Sequence, residues 1–261
     1  MTVPAIDLNA DVGEGFGAWP PAADEQLIPL VSSANVACGF HASDPGLMRR
    51  TVRLAKAHGV AVGAHPSFPD RVGFGRRMLA ASPREIEDDV VYQVGALLGC
   101  CRAEGVPLVH VKPHGALYAA ASRDPAVARA IVAGVRGVDP SLWLVCLAGS
   151  VLAREGRAGG VRCVEEAFAD RGYAPDGTLL PRGTPGALVT DPAAVAERVS
   201  RLAREGIVRA ADGTQLHVVL GTICVHGDTP GAVDVARAIR ARLDRDGVAV
   251  RPFAAAGAAP G

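Results

Sequence analysis

One punctuation recurs through the chain and restricts its fold more than any other feature. A Ser, Thr or Asp followed by Pro opens a segment, and Gly followed by Val or Ile closes it. Asp44-Pro45 opens a stretch ending at Gly59-Val60, and Ser82-Pro83 one ending at Gly105-Val106. Asp191-Pro192 leads to Gly206-Ile207, and Thr229-Pro230 to Gly247-Val248. Asp124-Pro125 opens another segment, which ends less cleanly near Gly137. A short hydroxyl or carboxylate side chain satisfies the free N–H groups of a helix start. Proline suits the first turn, where no N–H is needed, and glycine takes the left-handed conformation after the last. Glu85, three residues after Ser82, completes a capping box. Inside the segments, apolar residues keep helical period: Ile86, Val90, Val94, Leu97 and Cys101; Val195, Val199 and Leu202; Val235, Ile239 and Leu243.

Short apolar runs separate these helices: Val31 to Ala37, Val60 to Ala64, Leu108 to Val111, Leu142 to Leu147, Val161 to Val164, and Leu216 to Val225. With the strand that starts at Ile6, about seven βα units follow one another without a linker or a change in composition. Such alternation predicts a parallel sheet with crossover helices. The expected fold is α/β: a single distorted seven-stranded (βα) barrel, TIM-barrel-like, over residues 1–253, with 254–261 as a frayed tail. An open doubly wound sheet is the alternative.

Bulk properties exclude several classes of function. The formal charge of the 261 residues is zero and only 4% are aromatic, which argues against nucleic acid and anionic membrane surfaces as partners. No apolar run approaches membrane-spanning length, and no basic segment with an apolar h-region precedes Asp7. The six cysteines (Cys38, Cys100, Cys101, Cys146, Cys163 and Cys224) are dispersed, with no CxxC pair. Reduced thiols in a cytoplasmic protein are expected.

In a βα barrel the chemistry sits at the C-terminal ends of the strands. The first strand reads IDLNADVGEGFG from Ile6 to Gly17. Asp7, Asn9 and Asp11, at spacing two, point the same way in an extended chain, and burying them requires partners. Glu14 follows among Gly13, Gly15 and Gly17, which allow a sharp bend or a close approach to a ligand. A simple turn after an edge strand is the other reading. Later strand ends deliver Asn35 to His41; His65, with Asp70 and Gly73 to Arg77 beyond it; Lys112 and His114, then Tyr118; Gly149 and Ser150; Glu165 and Glu166, leading to Asp170, Arg171 and Arg182; and His226 with Asp228. A single histidine at a strand end is more often structural than catalytic. Four of them, His41, His65, His114 and His226, fall just past strands and would share one rim with Asp11 and Glu166. His110 and His217 lie inside strand runs and receive no role. Of the 27 lysines and arginines only Lys56 and Lys112 are lysine. Lys56 is expected on an exposed helix face. Lys112, a compact point charge at a strand end, suits an electrophilic or phosphate-binding role or a snorkelling structural one. Asp11, His41 and His65 could form a two-His, one-carboxylate metal site, although their wide spacing is not specific. P-loop, GxGxxG, HExxH and GxSxG motifs are absent.

Together the segments DLNADVGEGFG (7–17), NVACGFHASDP (35–45), GAHPSFPDRVGFGRR (63–77), VKPHGALY (111–118), EAFADRGY (166–173), LPRG (180–183) and ICVHGDTP (223–230) resemble the LamB/YcsF family, in order and over roughly residues 6–250. Ser43 and Ser67 stand where glycine is expected. The resemblance implies a seven-stranded barrel of the glycoside hydrolase and deacetylase type. It also implies a cytoplasmic hydrolase subunit that works with B and C subunits in ATP-dependent opening of the lactam 5-oxo-L-proline to L-glutamate. ATP, with its Mg2+, would be bound with or by the partner subunits, and a transition metal at the rim is left open, as is homo-oligomerisation. Such chemistry needs a base for water (Asp11 or Glu166), an acid for the ring nitrogen (His114 or His226), and cations for phosphate and carboxylate (Lys112, Arg171, Arg182). Asn9, Glu14, Asn35, Asp170 and Asp228 are the remaining expected substrate contacts. A metal-dependent deacetylase or amidohydrolase acting alone, and a non-catalytic substrate-binding or scaffold subunit, are the alternatives.

Overall fold

The computed structural model describes residues 4–17, 23–181, 183–225 and 231–256. Its strands, in chain order, are β1 (Ala5–Val12), β2 (Ser33–Ala37), β3 (Ala61–His65), β4 (Leu108–Val111), β5 (Trp143–Leu147), β6 (Arg162–Phe168), β7 (Ile207–Arg209), β8 (Gln215–His217), β9 (Thr222–Val225) and β10 (Ala249–Val250). The first six pair in parallel and in sequence, and β9 follows β6. A further pairing of β9 with β1, through Asp7↔Thr222 and Asn9↔Cys224, closes seven strands into a barrel. The open doubly wound alternative is therefore excluded. Strand β10 adds to the start of β1 at Ala5↔Ala249.

The helices are α1 (Asp24–Leu27), α2 (Pro45–Ala57), α3 (Pro83–Glu104), α4 (Gly115–Ala121), α5 (Pro125–Val138), α6 (Val151–Ala158), α7 (Pro192–Glu205) and α8 (Ala232–Arg245). Their caps are those the punctuation predicts. Asp44 accepts from the Gly46 and Leu47 N–H groups, Asp124 from Ala126, and Asp191 from Ala194. Ser82 and Glu85 form the capping box, while Gly105 and Gly206 end α3 and α7 in the left-handed region. The Thr229-Pro230 start lies outside the described residues.

Three expectations need correction. The run Leu216 to Val225 is not one strand: Gln215–His217 turns back on Ile207–Arg209 as an antiparallel hairpin, and only Thr222–Val225 joins the barrel. The Asp212-Gly213 turn makes the hairpin, with Gly213 at φ 92°. Strand β6 runs on to Phe168, which places Glu166 inside the strand rather than past its end. Within the segment expected as a tail, residues 254–256 continue a 3-10 turn from Phe253, and 257–261 lie outside the described residues. Phe253 packs edge-on against His110 and Trp143.

Alternation along the strands separates two environments. Leu8, Ala10, Val12, Ala34, Val36, Val62, Ala64, Val111, Ala167 and Ile223 belong to one apolar core with Ile86, Val90, Leu97 and Ile131 of the helices. Burying these side chains drives the wrapping of helices around strands. The intervening positions of the same strands carry Asp7, Asn9, Asp11, Ser33, Asn35, His110, Glu166 and Thr222, all buried. The barrel interior is thus polar, and its groups must satisfy one another. At Gly63 this interior leaves no room for a side chain: a Cβ would lie 2.0 Å from His110 Nε2. Among the described residues no helix is long and apolar enough to cross a membrane, and the six cysteines are unpaired.

Candidate active site at the barrel mouth

The interior polar groups form three layers. In the lowest, Asp7 accepts from the hydroxyls of Ser32 (2.7 Å), Ser33 (2.6 Å) and Thr222. In the middle, the Asn9 amide donates to Thr222 (2.7 Å) and Glu166 (3.3 Å), and its oxygen accepts from Asn35 (2.8 Å) and Lys112 (3.0 Å). Asn35 also donates to Asp11 (2.8 Å) and accepts from His110 Nε2 (2.7 Å). At the top, Lys112 Nζ lies 3.1 Å from Asp11, 3.3 Å from Glu166 and 3.0 Å from Cys224 Sγ. Burial works against the ammonium charge. The Asp11 carboxylate foremost, with that of Glu166, outweighs it and holds Lys112 well above the usual lysine range. Tyr118 donates to the other Glu166 oxygen at 2.6 Å. Burial pushes the Cys224 thiol well up, so it meets Lys112 as a neutral sulfur.

Above this floor stand three imidazoles. His41 and His114 stack in parallel with centroids 3.8 Å apart, and His65 packs edge-on to both. His114 Nδ1 is 3.0 Å from His65 Nε2, and His41 Nε2 is 3.1 Å from Glu14 Oε1. Burial, and then the neighbouring imidazoles, push His41 and His114 well below the ordinary histidine range, so both rings are neutral. The loop after β3 frames them. Asp70 binds the Gly73 N–H (2.9 Å) and the Arg77 guanidinium, which lowers its carboxyl to about 2. Phe74 and Gly75 then take φ of 55° and 64°, which brings the Phe74 carbonyl to 2.9 Å from His114 Nε2.

A cavity of about 530 Å³ opens over Asp11, Glu14, His65, Lys112 and His114. Its walls include Tyr118, Leu147, Phe168 and Leu179, with Arg76, Arg123 and Arg171 around them. The size and the mixture of apolar wall and convergent polar floor suit a small molecule.

Of the expected site residues, Asp11, Glu14, His65, Lys112, His114 and Arg171 reach this cavity. Glu166 does not: it is fully buried beneath Tyr118 and holds Lys112 from below. Asn9 and Asn35 likewise lie under the floor, hydrogen-bonded to Lys112 and Asp11, and do not line the cavity. Asp170 is buried away from the cavity wall. Arg171 donates to the carbonyls of Leu180 (2.6 Å) and Ala187 (3.2 Å), which ties down the loop forming that wall. In the expected Asp11, His41, His65 metal set the two histidines do come together, but Glu14 and His114 complete their group, and Asp11 meets His65 at 3.3 Å from outside it. Arg182, His226 and Asp228 lie outside the described residues. Sequence reasoning passed over His110, Ser67 and Thr222. His110 had a signal: it stands two residues before Lys112 on β4, so both share the inward face. Ser43, expected to be glycine, indeed has φ of 76°.

The LamB/YcsF family profile matches residues 6–258. A Thermus thermophilus protein named as the A subunit of 5-oxoprolinase is 55% identical over 248 residues, covering 95% of this chain and 99% of that protein. The Mycobacterium avium protein of the same name is 51% identical, covering 95% and 98%. The crystal structure of a lactam utilization protein from Thermus thermophilus superposes with a TM-score of 0.91 at 54% identity, covering 95% of this chain and 99% of that one. A profile match over nearly the whole chain, together with relatives that share about half of its residues end to end, shows that this chain belongs to the LamB/YcsF family.

Proposed function

We propose that this chain is the A subunit of an ATP-dependent 5-oxoprolinase, a cytoplasmic hydrolase that opens 5-oxo-L-proline to L-glutamate together with B and C subunits. The near full-length identity to proteins named as that enzyme's A subunit carries this reading. The cavity floor is consistent with it. A lactam is an unactivated amide. Transfer of a phosphoryl group from ATP to its oxygen gives ADP and an electrophilic carbon. Water adds there, the C–N bond breaks with a proton passing to nitrogen to leave the γ-acyl phosphate, and a second water hydrolyses that to glutamate and phosphate.

Asp11 is the base in this scheme. It lines the cavity, and the Lys112 ammonium at 3.1 Å keeps it ionised and able to take a proton from water. Lys112, which also borders the cavity, stabilises charge developing on carbonyl or phosphate oxygen. Arg76, Arg123 and Arg171 supply positive charge along the wall for substrate carboxylate and phosphate. His114 is a poor general acid as it stands, since it is neutral and its Nε2 is engaged by Phe74. The proton for nitrogen falls to His226 or to solvent. ATP and its Mg2+ are held with or by the partner subunits.

The chain purified with its B and C partners is expected to release glutamate and ADP from 5-oxoproline in equal amounts. Asp11→Asn is expected to cut that turnover by roughly 10²-fold or more, the usual cost of losing a base. An assembled complex inactive on every lactam overturns the proposal. Full turnover by the Asp11→Asn complex would make this chain a scaffold for chemistry done elsewhere.

A further inference from the structure

The imidazoles at the mouth are held so that their lone pairs converge. His65 Nδ1 lies 2.6 Å from the Lys112 carbonyl oxygen, so it carries the proton and Nε2 is bare. His114 Nε2 lies 2.9 Å from the Phe74 carbonyl oxygen, so there the bare nitrogen is Nδ1. Those two bare nitrogens face each other at 3.0 Å. The Ser67 hydroxyl donates to the Phe68 carbonyl (2.9 Å) and hence accepts from His41 Nδ1 (3.0 Å). That leaves the His41 Nε2 lone pair directed at Glu14 Oε1, 3.1 Å away. The same carboxylate oxygen is 3.5 Å from His114 Nδ1. Acceptors that face one another in a buried place repel unless a proton or a cation lies between them. One proton relieves one of these contacts, whereas one divalent cation relieves all of them.

We propose that Glu14, His41, His65 and His114 bind one divalent first-row transition ion of the zinc class, through three imidazole nitrogens and one carboxylate oxygen, on the floor of the cavity. The four ligand atoms lie within 4.8 Å of one another. The close contacts among them, 3.0 to 3.5 Å, bracket the separation of about 3.4 Å between donors around a tetrahedral ion with bonds near 2.1 Å. Three nitrogen donors disfavour calcium and magnesium, which prefer oxygen. Each imidazole has its other nitrogen fixed by an outer partner, Ser67 Oγ, the Lys112 carbonyl or the Phe74 carbonyl, as ligating histidines require. Glu14, His65 and His114 border the cavity, so the ion has an open side. This site does not depend on the lactam reading, because ion uptake is measured without turnover.

The test uses the full chain, stripped with a chelator and titrated with Zn2+ by calorimetry and with Co2+ by visible absorption. One equivalent of each is expected, with the intense bands of low-coordinate Co2+. His41→Gln and Glu14→Ala should each weaken binding by at least about 100-fold, and Ser67→Ala, which removes no ligand, by about 10- to 100-fold. His58→Gln, at the exposed end of α2, should leave it unchanged. No saturable uptake by the wild-type chain, or uptake unaltered in both His41→Gln and Glu14→Ala, overturns the proposal and makes the cluster a network of shared protons.

Discussion

Lys112 stands where the polar barrel interior meets the cavity floor. Its ammonium is buried, yet it meets two carboxylates, an amide oxygen and a thiol within 3.3 Å. Lys112→Ala leaves Asp11 and Glu166 buried without a counter-charge, a change that costs about 3–5 kcal/mol in comparable pairs. Turnover by the reconstituted complex should fall by roughly 10²-fold or more. Lys112→Arg keeps the charge but replaces a single donor point with a planar fork. The contacts at 3.0 to 3.3 Å all converge on one nitrogen, which the fork cannot reproduce. Arg should therefore impair turnover nearly as much as Ala while restoring part of the lost melting temperature. Turnover unchanged in Lys112→Ala, with melting alone lowered, would reduce the residue to a structural role.

At the scale of elements, the loop from Asp70 to Arg77 and the start of α4 fix the imidazoles. A Cβ on Gly75 would lie 2.8 Å from His114 Cδ2 and 2.9 Å from His41 Cβ, at a φ of 64° that already penalises a side chain. Gly75→Ala therefore costs about 1–2 kcal/mol of backbone strain and also displaces both rings. A drop of more than about 10-fold in turnover, with only a few degrees lost in melting, is expected. Unchanged turnover would show that the placement of the rings does not bear on the reaction. The helices were legible in sequence because caps, prolines and terminal glycines act within a few residues of themselves. The inward face of β1 was legible for a similar reason, since Asp7, Asn9 and Asp11 announce strand parity. Helices α4 and α6 were not, as neither starts with the Ser/Asp-Pro signal. The end of β6 was also hidden, because only pairing with β9 decides whether Glu166 lies within or beyond it. Least legible was the histidine cluster as a whole. The carbonyls of Phe74 and Lys112 that orient its rings are backbone groups placed by distant packing, and no side-chain motif reports them.

Across the whole barrel, the interior divides between a mouth that faces the cavity and a base whose polar groups bear on stability. Asp7 lies at the base, where burial pushes its carboxyl up to about 6 despite the hydroxyls of Ser33, Thr222 and Ser32. In the unfolded chain the same group titrates near 3.9. Below about pH 4 both states hold the proton, and the group has no effect on folding. Between about pH 4 and pH 6 the folded chain keeps a proton that the unfolded chain has released. Stability from this group then falls as pH rises, by about 1.4 kcal/mol per pH unit, and levels off above about pH 6. Asp7→Asn cannot titrate and lacks that slope, although it gives up one of the acceptors for the hydroxyls. The stability of wild type relative to Asp7→Asn should therefore decline by about 2 kcal/mol between pH 4 and pH 7. The difference between the two proteins cancels the opposite pH dependence of the buried neutral histidines, which both contain. Urea unfolding of the pair at several pH values measures it. A difference that stays constant with pH would mean that Asp7 folds as an ordinary ionised carboxylate, with the three hydroxyls fully offsetting its burial.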